Sequence, residues 1–201
     1  MKLYYVPGAC SRVPHITLNE IGIKFEAEKL DPKNKKVSEG DYLQMVNPKG
    51  QVPALRMDNG EVLTETAVIT QYIADLKPEL KLIPAFGTLE RYRLMEWMNY
   101  IATELQKGFS PLWNPKTPDD IRAQTLASVE KKFDFISTHL TKNKYLLGNN
   151  YSVADIYLYV VMGWTKNFKL DISKWPKIIS LIETVGQRPA VQKTLQTEQP
   201  Q

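Results

Sequence analysis

Cysteine is almost missing from this 201-residue chain: Cys10 stands alone, so no internal disulfide is possible and a reducing, cytoplasmic setting is expected. Histidine is nearly as scarce. With His15, His139 and a single cysteine, a nitrogen–sulfur metal centre lacks ligands, and no metal is expected. No apolar run approaches the ~20 residues that a membrane span needs, and the N-terminus opens on a strand without a charged-then-apolar leader. Charge of one sign is also lacking. Against 26 basic residues stand 22 acidic ones, and a net +4 is too weak to argue for nucleic acid. There is no GxGxxG fingerprint, repeat or low-complexity tract.

What is present begins with Lys2 to Gly22. Leu3, Tyr4, Tyr5 and Val6 form a β-type run that Pro7-Gly8 ends. A helical pattern follows through Val13, Ile16, Leu18 and Ile21, with Gly22 as its stop. Pro14 fits the first turn, where amides have no partner to lose. Cys10 thus falls at a strand-to-helix junction, where unpaired N–H groups and the helix dipole favour an anion. A thiol there ionises more easily than a free one, whose pKa is ~8.5. The competing reading is a small buried hydrophobe. His15 lies five residues on, about 140° further round an ideal helix, which argues for a packed, hydrogen-bonded role and against a Cys–His pair. Tyr4 and Tyr5 alternate faces, so at most one hydroxyl points at Cys10.

A second strand over 24–30 gives a βαβ unit with a parallel pair. The polar stretch 31–40 carries Lys33, Lys35 and Lys36, either a solvated loop or a place to capture a carboxylate. Val52-Pro53 precedes an extended segment and is a plausible cis peptide. Asp58-Asn59-Gly60 is a hairpin turn between 54–57 and 61–63. Val68, Ile69, Tyr72, Ile73 and Leu76 mark the next helix, with Glu65 and Thr66 at its start; Thr64 or Glu65 reads as its cap, a role compatible with binding a ligand ammonium.

The order β-α-β, then β-β-α, predicts an α/β thioredoxin-like domain over 1–77, with 78–87 as linker and an all-α domain over 88–201. In the latter, 88–109 reads as one long helix whose polar stripe runs through Glu96, Asn99, Thr103 and Gln106. Helices follow at 118–140, 151–164, 175–186 and 189–195. The stretch 151–164 is apolar nearly all round, so it is the expected central helix, started by a Ser152/Asp155 capping box.

Together, Cys10 at the first helix, Gln51-Val52-Pro53, Glu65-Thr66 and Ser152-Val-Ala-Asp155 make the chain resemble a cytosolic glutathione S-transferase, more narrowly the bacterial beta class with its cysteine. The resemblance covers essentially the whole chain. It implies glutathione as co-substrate, its sulfur beside Cys10, with Ser11 and Gln106 as further catalytic candidates. Val52, next to Gln51 and a cis Pro53, would offer backbone groups to the cysteinyl part. Glu65 and Thr66 would take the γ-glutamyl end, and Lys35 the glycyl carboxylate. It further implies a homodimer in which Asn99, Thr103, Glu104 and Gln106 reach the partner's cleft. Two residues depart from the pattern: Gln106 replaces a frequent His, and Ala9 a frequent Ser. The expected reaction is conjugation of glutathione to a hydrophobic electrophile, lying between the domains near Phe109, Leu112, Trp113 and Trp164, in detoxification or a catabolic step. The alternatives are a glutathione-dependent disulfide reductase working through a Cys10 mixed disulfide and a non-catalytic ligand-binding scaffold.

Overall fold

A computed structural model describes residues 1–199. Strand β1 (Lys2–Tyr5) is followed by α1 (Arg12–Ile21) and β2 (Glu26–Lys29). Gly22 ends α1 at φ 67°, its N–H bonded to the Leu18 carbonyl, as a left-handed helix stop requires. The 31–41 stretch is not a plain loop. It holds a two-stranded ladder of β3 (Lys36–Val37) and β4 (Gly40–Asp41), and Asp41 caps the short helix α2 (Tyr42–Met45). Then come β5 (Ala54–Arg56), β6 (Val62–Thr64) and α3 (Thr66–Asp75).

The main sheet has the order β2-β1-β5-β6, with β1 parallel to β2 and antiparallel to β5. Strand alternation sorts its core: Tyr4 and Ala54 pack with Leu30, Tyr42 and Val46, and the intervening Leu3 and Leu55 are equally buried. Helix α1 packs against α3.

The helical part opens with α4 (Leu89–Tyr100), capped by the Thr88 hydroxyl. The single long helix expected over 88–109 is interrupted: residues Ile101–Gln106 adopt π geometry, which rotates Thr103, Glu104 and Gln106 relative to a regular stripe. Helices α5 (Ser110–Trp113), α6 (Asp119–Leu140), α7 (Val153–Met162) and α8 (Pro176–Gly186) follow. All but one residue of α7 is buried, and its capping box is complete: Asp155 accepts from Leu146 N and Ser152 N, each at 2.8 Å. Burial pushes the Asp155 carboxyl up to about 6, against the pull of those donors.

Two compact units result. One is residues 84–186; the other joins 1–83 to the segment from Gln187 onward. Helix α9 (Pro189–Thr197), grouped with the helical half in a linear reading, packs against α1. Its apolar face, Ala190 and Val191, needs cover that α1 supplies. No helix of the described residues is long and apolar enough to cross a membrane.

Candidate functional site

Cys10 lies between β1 and α1, half-buried, and its Sγ donates to the Val52 carbonyl at 3.3 Å. The junction is less bare than the sequence suggests. Arg12 N donates to Ala9 O and Val13 N to Cys10 O, both at 3.0 Å, so these first-turn amides are already used and Pro14 has none. Ser11 N–H donates no hydrogen bond among the described residues. One amide plus the helix dipole, not an open helix mouth, faces a charge there.

Ser11 itself is fully buried. Its Oγ accepts from Val6 N and donates to Val6 O, both at 3.1 Å, closing the loop that carries Cys10. The hydroxyl is committed to the backbone, so a catalytic part for it has no support in this geometry. Ala9, one of the two departures from the pattern, donates its N–H to Val6 O at 3.1 Å.

Segment 47–53 is held by residues the sequence did not single out. Tyr42 OH and Asn47 Nδ2 both donate to the Gln51 carbonyl at 2.8 Å. Gly50 has φ +66° and packs so close to Leu43 that an added Cβ would meet its Cδ2 at 2.8 Å. The Val52–Pro53 peptide is cis. With this segment so fixed, Val52 turns its carbonyl to Cys10, and its N–H donates no hydrogen bond among the described residues. Lys35, at φ 51°, brings its Nζ to the Gly50 carbonyl at 2.8 Å, beside the same segment.

Glu65 precedes α3 with φ 74°, a strained region for a residue with a Cβ and one that marks functional positions. It does not cap α3 with its side chain. Its carboxylate instead meets Lys49 Nζ at 2.5 Å, and the same ammonium reaches Thr64 Oγ1 at 2.8 Å, so neither residue closes the helix start. Thr66 is buried below them. Lys49 was missed by the sequence reading; only its position beside Gly50 and Gln51 could have flagged it.

The remaining candidates lie in the helical unit. Gln106 is half-buried, and its Oε1 accepts from Tyr157 OH at 2.6 Å, which turns the amide nitrogen away from the tyrosine. Asn99 and Thr103 are exposed, with Thr103 Oγ1 bonded to Asn99 O at 3.0 Å. Glu104 is exposed and held by Lys132, whose Nζ lies 2.8 Å from its carbonyl. Phe109, Leu112 and Trp164 belong to the core, whereas Trp113 is half exposed and packs edge-on against Trp164 and Phe168.

His15 is buried with Nδ1 at 3.0 Å from Glu198, as a packed histidine should be. Tyr4 OH donates to Glu39 at 3.0 Å, and the Tyr5 ring lies against His15. Among the described residues no three His, Cys, Asp or Glu side chains gather as metal ligands.

Comparison with known proteins bears on this arrangement. The N-terminal domain of glutathione S-transferases matches residues 8–76, and the C-terminal domain of the same family matches 100–189. The chain is 41% identical over 198 residues, 98% of both chains, to glutathione S-transferase GstA of Escherichia coli O157:H7. A sphingomonad glutathione S-transferase solved with glutathione superposes with a TM-score of 0.95 at 43% identity, covering 98% of each chain. A bacterial beta class glutathione S-transferase from Sphingomonas chungbukensis does so at 0.94 and 42%, again over 98% of each. A cysteine at the β1–α1 junction, a cis proline before β5, a strained acidic residue opening α3 and agreement over both domains lead to one assignment: the chain belongs to the glutathione S-transferase family, with the bacterial beta class among its near relatives.

Proposed function

We propose that this enzyme binds glutathione along the 49–53 segment and the start of α3, with the tripeptide sulfur beside Cys10, and transfers it to an electrophilic small molecule. The observation that carries this reading is the pairing of Cys10 Sγ with the Val52 carbonyl, next to an unengaged Val52 N–H. A peptide backbone laid along Val52 would take that N–H and carbonyl as a strand does. Cys10 would then release its bond to Val52, and Ser11 N–H is the donor nearest in sequence for a thiolate.

The uncapped amides of α3 suit the γ-glutamyl carboxylate. Glu65, already paired with one ammonium from Lys49, suits the glutamyl amino group. Lys35 is placed beside Gly50 for the glycyl carboxylate. Gln106, oriented by Tyr157, offers an amide donor that does not titrate. Half-exposed Trp113 in its aromatic cluster favours a hydrophobic electrophile. Phe86, Leu89, Tyr92 and Met95 recur at a spacing of three and are exposed, which supports a homodimer joined through this face.

A redox reading shares the site and is favoured by a sulfur that is only half-buried. The Cys10 thiolate would attack a glutathionyl disulfide, forming a Cys10–glutathione disulfide and releasing the substrate thiolate. A second glutathione thiolate would then free Cys10 and leave as glutathione disulfide.

The deciding experiment is Cys10→Ala. Disulfide reduction is expected to vanish, and aryl-halide conjugation to fall or persist according to how far the tripeptide thiol activates without Cys10. Unchanged rates in both assays would remove Cys10 from the site. Retention of the wild type on immobilised glutathione, lost in Glu65→Ala, checks the binding half; equal retention would exclude Glu65.

A further inference from the structure

We infer that Glu39, at the turn of the β3–β4 hairpin, is a positioning residue that presents Lys35 to the glycyl end of glutathione. This rests on the reading that Lys35 takes the glycyl carboxylate. Strand register sets up the contact. Lys2 of β1 stands directly opposite Arg56 of β5, and Tyr4 opposite Glu28 of β2, so the four side chains emerge on one face of the sheet. Like charges facing each other across strands repel. The anion that bridges Lys2 and Arg56 comes from the hairpin. Glu39 Oε1 accepts from Lys2 Nζ at 2.8 Å and from Tyr4 OH at 3.0 Å, and Oε2 accepts from Arg56 Nη1.

The hairpin needs this hold. Each of its strands is two residues long, and so short a ribbon is marginal in water by itself. At its base Lys35 has φ 51°, a left-handed conformation that a residue with a Cβ keeps only where its surroundings impose it. Lys35 N donates to Asp31 O at 2.9 Å and Tyr42 N to Lys35 O at 2.8 Å, which close the base. The tip is tied to the sheet instead: beside Glu39, Ser38 gives its N–H and its hydroxyl to Glu28, the hydroxyl at 3.1 Å. Arg56 extends the hold, since its Nη2 donates to Met45 O at 2.7 Å. One guanidinium thus couples the hairpin that carries Lys35 to the end of α2, which leads into segment 47–53.

The side chains of Lys2, Glu39 and Arg56 are all partly shielded from water, unlike a freely solvated surface pair of little worth. Bonds from Lys2 and Arg56 hold the Glu39 carboxyl down to about 2, so the latch is charged at neutral pH. Lys35 Nζ reaches Gly50 O at 2.8 Å, so where its ammonium stands depends on how the hairpin sits over that segment. Val52 has separate supports in the bonds of Tyr42 and Asn47 to Gln51 O, and Cys10 in those of Ser11 to Val6. Loosening the hairpin tip therefore displaces the partner of one ligand carboxylate and leaves the reacting end in place.

The test compares glutathione with glutathione amide, whose glycyl carboxylate is blocked. KM and kcat with chlorodinitrobenzene are measured for wild type, Glu39→Gln and Lys35→Met at neutral pH, below each thermal midpoint. Wild type is expected to prefer glutathione over the amide in KM, and Lys35→Met to lose that preference. Glu39→Gln should raise KM for glutathione roughly 3- to 10-fold, the scale of a charged hydrogen bond lost in part. Its KM for the amide and its kcat should stay near wild type, as when only uniform binding is removed. A merely structural role would raise both KM values together or lower kcat, and either result in Glu39→Gln would overturn the proposal. So would a wild-type preference in Glu39→Gln beside a lost one in Lys35→Met, which removes only the positioning role. No preference in wild type, or one that survives Lys35→Met, would instead sink the glycyl reading and the proposal with it. Should Glu39→Gln not fold, Glu39→Asp, shorter by one methylene, serves; a fully kept preference would overturn the proposal.

Discussion

Replacing Ser11 by Ala separates loop construction from chemistry at the residue next to the thiol. The hydroxyl is fully buried and makes two bonds, both to Val6. Its loss leaves Val6 N–H without its partner, which costs about 1–3 kcal/mol when a donor is shielded from water. The Val6 carbonyl suffers less, because Ala9 N still donates to it at 3.1 Å; about 0.5–1 kcal/mol is a fair cost for that half. The expected destabilisation is therefore about 1.5–4 kcal/mol. At roughly 2–4 °C per kcal/mol for a chain of this size, the thermal midpoint should drop by about 3–16 °C. Urea unfolding at constant slope gives the free energy, and kcat/KM below the transition gives the chemistry. Activity should track the folded fraction. A stability change under ~0.5 kcal/mol together with a hundredfold fall in kcat would show that the hydroxyl acts on the reacting sulfur, and would refute the structural account.

Asp155→Ala leaves Leu146 N and Ser152 N unpartnered in the core of the helical unit, so a loss of about 3–5 kcal/mol is expected by urea unfolding; under 1 kcal/mol would mean that the box is dispensable. Glu39 is held down to about 2 by bonds from Lys2 and Arg56. An acid with a lowered native pKa contributes stability above its ordinary value of 4.5 and loses it as pH falls toward 2. Glu39→Gln should therefore flatten acid unfolding between pH 4.5 and 2, and an unchanged acid limb would contradict this. Tyr157→Phe frees the Gln106 amide to rotate; kcat should fall several-fold while KM for glutathione holds, and a change in KM alone would place Gln106 in binding instead.

Much of this protein was legible in the chain because local physics decides it. The hairpin around Asp58-Asn59-Gly60, the helix stop at Gly22 and the box of Ser152 and Asp155 each follow from a few neighbouring residues. The placement of Cys10 between strand and helix, and of His15 as a packed residue, followed from spacing alone. Other features arise only when distant segments meet. No local pattern tells that Ser11 spends its hydroxyl on Val6, or that Lys49 takes the Glu65 carboxylate in place of a helix cap. The π turn at Ile101–Gln106 is equally silent in sequence, since the same residues fit a regular helix.

The sequence by itself determined the elements, their order and the lone sulfur, because periodicity, turn chemistry and composition act over a few residues. The tertiary structure alone decided which carboxylate meets the segment around Cys10: Glu198 accepts from Gly8 N and Arg12 Nε and faces His15 Nδ1. Glu198 stands 188 residues from Cys10 by number, and a buried charge chooses its partners by where the fold lets three donors converge.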